Sequence, residues 1–134
     1  MKKLMLLSIC AAGLALASGC WWWTSVMEID GTSDGATTVN FKNSPVDIKV
    51  LDTRTRFVNG LLQVNQELES GYSSTYRLEY KFSWYDSAGM EVDPARTAWM
   101  PLYMNGRETK TIQGLAPNPS AKTFKIKFRE TDRH

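Results

Sequence analysis

Thr75-Tyr76-Arg77-Leu78-Glu79-Tyr80-Lys81-Phe82-Ser83-Trp84 alternates large apolar residues with polar ones. Tyr76, Leu78, Tyr80, Phe82 and Trp84 fall on one side of an extended chain, and Arg77, Glu79, Lys81 and Ser83 on the other. A helix with 3.6 residues per turn cannot produce that period of two, so the stretch reads as a half-buried strand. Its alternation makes Tyr76, Tyr80 and Trp84 core residues rather than an exposed platform for carbohydrate. The strand stops at Tyr85-Asp86-Ser87-Ala88-Gly89. There the Asp86 side chain can bond the backbone two residues on, and Gly89 can take the positive φ of a hairpin loop.

Weaker versions of the pattern lie on both sides: Val39 and Phe41; Val46, Ile48 and Val50; Leu62, Val64 and Leu68; residues 99–104; residues 109–112; and Phe124, Ile126 and Phe128. Gly60, Asn65, Gly71, Asn105-Gly106, Gly114 and Pro117-Asn118-Pro119 punctuate them. Short strands at that spacing predict an all-β fold, an antiparallel β-sandwich of about seven strands. A single turn of helix is expected near residues 93–97. Pro101 cannot donate to a ladder, which places its strand at an edge or a bend.

The chain of 134 residues, 22% charged and 43% hydrophobic, has room for one ordinary domain. It starts with a basic pair, Lys2 and Lys3, then an apolar run over residues 4–17, then Ser18-Gly19-Cys20. This is the pattern of a secretory signal, and the run is shorter than the roughly 20 residues a membrane-spanning helix needs. Ala17-Ser18-Gly19-Cys20 resembles the lipobox of bacterial lipoproteins, with Ala17 where Leu is preferred and Leu16 one place earlier. The resemblance implies a diacylglyceryl group on the Cys20 thiol and cleavage just before it. The other reading is an ordinary signal cut at Ala15-Leu16-Ala17, with Cys20 left as a free thiol. Trp21 stands where an Asp would mark inner-membrane retention, so the resemblance implies the outer membrane.

Cleavage before Cys20 removes 19 residues and leaves 115; it takes two of the 16 Lys and Arg, leaving 14 against 14 Asp and Glu. A neutral domain has no general field to gather nucleic acid. Cys10 leaves with the signal and Cys20 is consumed by lipid, so no disulfide or thiol nucleophile is expected. Trp21, Trp22 and Trp23 suit the membrane interface, where an apolar ring with one N–H donor is at home; folding back of a ring onto the domain is the alternative. Residues 24–38, rich in Thr, Ser, Gly and Asp, read as a flexible tether. Asp30 and Asp34 lack the further oxygen ligands of a calcium loop, and no metal is expected. The expected organisation is therefore a lipoprotein signal peptide over residues 1–19, a lipidated and flexible segment over 20–38, and the sandwich over 39–134.

Family resemblance comes from Leu62-Gln63-Val64-Asn65-Gln66-Glu67-Leu68, from Tyr80-Lys81-Phe82-Ser83-Trp84-Tyr85-Asp86-Ser87-Ala88-Gly89-Met90-Glu91-Val92, from Trp99, and from Ala116-Pro117 ahead of Phe124-Lys125-Ile126. These runs resemble the YcfL family of Gram-negative envelope lipoproteins. The resemblance implies a lipobox start and an immunoglobulin-like sandwich, and it implies no activity.

Catalytic signals are lacking. His134 is the only histidine and the last residue, and no Ser stands in a Gly-x-Ser-x-Gly elbow. Asp86, Glu91 and Asp93 flank one hairpin and read as a turn cap and solvated charges rather than a catalytic pair. No dinucleotide or phosphate loop is present, and no cofactor is expected. Lys125, Lys127 and Arg129 project opposite Phe124, Ile126 and Phe128, with Lys122 nearby, and form one basic strand face. Lysines also commonly protect an edge strand. The expected function is a non-catalytic protein-interaction or assembly module, lipid-anchored to the periplasmic face of the outer membrane, with an envelope protein as partner. The alternative is binding of peptidoglycan, lipopolysaccharide or anionic lipid through the basic face.

Overall fold

The computed structural model describes residues 26–42 and 46–131. Nine strands follow one another: β1 (Val26–Thr32), β2 (Thr37–Lys42), β3 (Ile48–Val58), β4 (Leu61–Ser70), β5 (Tyr76–Tyr85), β6 (Glu91–Val92), β7 (Met100–Met104), β8 (Thr109–Leu115) and β9 (Thr123–Glu130). A 3₁₀ turn, Pro94–Arg96, is the single helical element among the described residues. One sheet runs β2-β1-β9-β5-β6, with β7 also paired to β5; the other runs β3-β4-β8. Every pairing is antiparallel. The two sheets enclose a single core, and the fold is an all-β sandwich.

Period-two alternation decides what is inside. On β5, Leu78, Phe82 and Trp84 are buried, with Tyr76 and Tyr80 packed against the core; on β9, Phe124, Ile126 and Phe128 are buried. Ile48, Leu62, Val64, Leu68 and Ile112 face them from the smaller sheet. The hairpins follow from local chemistry. Asn59 and Gly60 join β3 to β4 with φ of 52° and 79°, the pair of positive values a two-residue loop needs to match strand twist. At the β5–β6 turn the Asp86 carboxylate accepts the N–H groups of Ala88 and Met90, each at 2.9 Å.

Two expectations are corrected. Residues 26–38 are no flexible tether: β1 is hydrogen-bonded to β2 on one side and to β9 on the other, with Met27 and Ile29 fully buried. The sandwich therefore starts before residue 39 and has nine strands among the described residues rather than seven, with β1 and the short β6 as additions. In addition, β9 lies between β1 and β5 and is no edge strand. Pro101 does lie on an outer strand, since β7 pairs with β5 alone.

One buried polar residue holds an irregularity in place. The β3–β4 register slips between Val50 and Thr53, so two β3 residues oppose Glu67. Gln66, fully buried, accepts the Thr53 hydroxyl at 2.5 Å and donates to the carbonyl oxygens of Asp52 at 3.2 Å and Glu67 at 3.0 Å. Bulges leave backbone groups without ladder partners, and this amide supplies them. Gln66→Leu keeps the volume but orphans those groups, so we expect a loss of about 1–3 kcal/mol in urea unfolding. An unchanged midpoint would show that water or a register shift replaces the amide.

Candidate functional site

The outward face of the larger sheet carries the basic residues expected from the sequence. Cross-strand register puts Thr38, Asp30, Lys125 and Ser83 in one row, Glu28, Lys127 and Lys81 in the next, and Arg129 opposite Glu79. Lys125 Nζ lies 3.7 Å from Asp30 Oδ1 and 5.5 Å from the centre of the Tyr85 ring. Arg129 reaches Glu79 at 3.2 Å, and its guanidinium lies 4.0 Å from the Trp99 ring centre, with Lys81 Nζ at 5.3 Å from the same ring. Cations and carboxylates thus alternate, and two of the three β9 cations are matched. A strongly positive strip was legible on β9 alone; the acids that offset it come from β1 and β5.

A cavity of about 450 Å³ opens at one end of this face. It is bordered by Asp30, Thr32, Thr38, Tyr85, Thr123 and Lys125. Register explains their convergence: Thr123 pairs with both Thr32 and Tyr85, and Asp30 with both Thr38 and Lys125. Asn40 Nδ2 donates to Asp30 Oδ2 at 2.7 Å, which fixes the carboxylate, while Asp30 Oδ1 is buried without a hydrogen-bond donor. Burial, offset by Lys125 and reinforced by Glu91, Glu28 and Asp30, raises the Tyr85 phenol above its ordinary value. Tyr85 is therefore a neutral hydroxyl, donor and acceptor both, at neutral pH. Asp30 and Tyr85 were not singled out as binding residues from the sequence, because their proximity depends on pairings between β1, β9 and β5.

A second concavity lies between the outer strands of the two sheets. β8 pairs with β4 on one side and with no described strand on the other. Lys110 Nζ donates to the Tyr103 carbonyl oxygen at 2.5 Å, tying β8 to β7 near one end. Elsewhere a groove of about 250 Å³ is bordered by Tyr80, Phe82, Met100, Gly114, Leu115 and Arg96. Met100 and Leu115 are each 49% exposed, large apolar side chains brought onto one groove from separate sheets.

Asp86 caps its hairpin, and Asp93 precedes the 3₁₀ turn with φ of 45°. The Asp34 carboxylate accepts the Thr32 hydroxyl and the Ala36 N–H, which hold its pKa below the usual range. No group of three or more His, Cys, Asp or Glu among the described residues is placed to hold a metal. Cys20, Trp21, Trp22, Trp23 and His134 lie outside the described residues.

Residues 35–130 match the family described as Protein of unknown function (DUF1425). The crystal structure of a DUF1425 family member from Shewanella sp. pv-4 is 27% identical, with a TM-score of 0.59, and the match covers 79% of this chain and 98% of that one. The crystal structure of Campylobacter jejuni cj0090 is 20% identical, with a TM-score of 0.54 over 61% of this chain and 85% of that one, a likeness of fold. No curated protein matches the chain.

Proposed function

We propose that this chain, which belongs to the DUF1425 family, is a YcfL-like lipoprotein anchored through Cys20 at the periplasmic face of the outer membrane, where it acts as a non-catalytic protein-interaction or assembly module. The observation that carries the interaction reading is the β7–β8 groove. It combines a β8 edge that pairs with no strand among the described residues with exposed Met100 and Leu115 above an aromatic floor. An added strand gains backbone hydrogen bonds from such an edge and side-chain pockets from the groove. Pro101 withholds one donor from the facing edge on β7, which leaves β8 as the better template.

The basic face is the less supported contact for an anionic ligand. Lys125 and Arg129 already face carboxylates, and a partly exposed pair of this kind gains little from an external anion. Lys127 alone of the three lacks a hydrogen-bond or ion-pair partner among the described residues.

Site-specific photocrosslinking in cells tests the proposal. A crosslinker at Leu115 should capture one defined envelope protein, and Met100→Asp should abolish that adduct. A crosslinker at Lys127 should not capture it, and changing Lys125, Lys127 and Arg129 together to Gln should leave the Leu115 adduct intact. Cys20→Ser should leave uncleaved precursor by intact mass. Adducts from Lys127 but none from Leu115 would move the contact to the basic face, and a mature form without acylated Cys20 would remove the lipoprotein assignment.

A further inference from the structure

The two edges of β8 differ. The Ala116 N–H donates to the Leu62 carbonyl oxygen, and the Ser70 N–H to that of Glu108, each at 2.8 Å. Neighbouring residues of a strand turn their N–H and C=O groups to opposite sides, so the even-numbered residues of β8 bond to β4. Thr109, Thr111, Gln113 and Leu115 therefore direct theirs away from β4, and all four residues are exposed while Ile112 between them is buried. Their side chains carry no charge and include no proline, so this edge lacks the usual guards against an added strand. The facing edge on β7 is poorer. Its Tyr103 carbonyl oxygen accepts Lys110 Nζ at 2.5 Å, which shows that odd-numbered β7 residues turn toward β8, and Pro101 among them has no N–H.

Side chains of a strand added to β8 alternate between solvent and the gap to β7. Those turned into the gap meet Tyr80 and Phe82 at its floor and Met100 at its wall. Gly114 lets the Phe82 ring lie against the β8 backbone, where a Cβ would overlap it. Such a lining suits an apolar side chain. Arg96 is the single charged residue on the border of the groove among the described residues, and it is exposed. Its charge favours an acidic residue in the occupant. A second copy does not match: its β8 would present Lys110, Ile112 and Gly114 on the corresponding face, a cation in place of an acid.

We infer that the occupant is an extended acidic-apolar segment of a partner protein. It adds to β8 as an antiparallel strand through Thr111, Gln113 and Leu115, sets an apolar side chain against Phe82 and Met100, and places an Asp or Glu beside Arg96. The inference rests on the strand-addition reading of the groove and specifies the chemistry of the partner.

A random octapeptide library displayed on phage is panned against the full chain purified in a zwitterionic detergent. Selected peptides should alternate apolar residues and be enriched in Asp or Glu, and panning against Arg96→Glu should reverse the preference to Lys or Arg. A selected acidic peptide should bind Arg96→Glu at least about threefold more weakly, the scale of an exposed ion pair. Gln113→Pro should weaken it at least about fivefold, the loss of about one hydrogen bond, and leave the far-UV spectrum unchanged because that N–H points away from β4. If Gln113→Pro does not fold, hydrogen exchange on the unaltered chain decides: the peptide should protect the amides of Thr111, Gln113 and Leu115, with those of Ile112 and Gly114 protected throughout. Peptides that need the Gln113 N–H but show no acidic enrichment would overturn the partner chemistry and leave strand addition standing. Peptides that bind Gln113→Pro equally and protect none of those amides, or a library that yields no binder, would remove the β8 edge as a site altogether. A dimer of the free chain that Gln113→Pro dissolves would give the edge to a second copy and overturn the inference.

Discussion

Trp84→Ala is expected to lower the unfolding free energy by roughly 3–5 kcal/mol, a large share of the 5–15 kcal/mol typical of a whole domain. The side chain is 3% exposed. Its ring stacks on Phe82 at 5.5 Å between centroids and leans on Phe124 at 6.3 Å, and its backbone is paired with Phe124 on β9 and Val92 on β6. Truncation removes the aromatic surface and leaves a void that the neighbouring rings, fixed by their own strands, cannot fill. Urea unfolding followed by far-UV circular dichroism measures the effect. The midpoint should fall with little change in slope, since the same surface is exposed on unfolding. A shift below about 1 kcal/mol would mean that the β7–β8 groove, which Trp84 also borders, lets the core collapse or hydrate at small cost.

Gly31→Val is expected to cost about 3 kcal/mol or more by overpacking. Gly31 on β1 lies directly opposite Phe124 on β9, and a Cβ built on it would overlap the far end of that ring. Phe124 is 1% exposed and enclosed by the core, so it cannot swing away without opening the sandwich. Adding Phe124→Ala to Gly31→Val should cost much less than the sum of the two single losses, because the two residues compete for one volume. Simple additivity would show that the strain comes from elsewhere. A flexible tether at residue 31 would tolerate valine with no change in the midpoint, so the same experiment also tests the placement of β1.

The alternation of residues 75–84 and of Phe124, Ile126 and Phe128 determined by itself the strand class, the inward face and the outward projection of Lys125, Lys127 and Arg129. Strand periodicity is local: side chains two apart share a face whatever the neighbouring strand is. Turn chemistry at Asp86 and Gly89 was local in the same way, and so was the outer position of Pro101's strand, since a missing N–H excludes a central ladder. Residues 26–38 were different. Met27 and Ile29 are too short a run to outweigh Asp30-Gly31 and Asp34-Gly35 in the sequence, and what makes them a strand is pairing on both sides, with partners that lie from about ten to a hundred residues away. The same long-range pairing set Asp30 beside Lys125, Glu79 beside Arg129, and Met100 across a groove from Leu115. Charge and cavity are properties of neighbouring strands taken together, and the order of strands in a sheet is decided by the burial of both faces at once, which no single segment encodes.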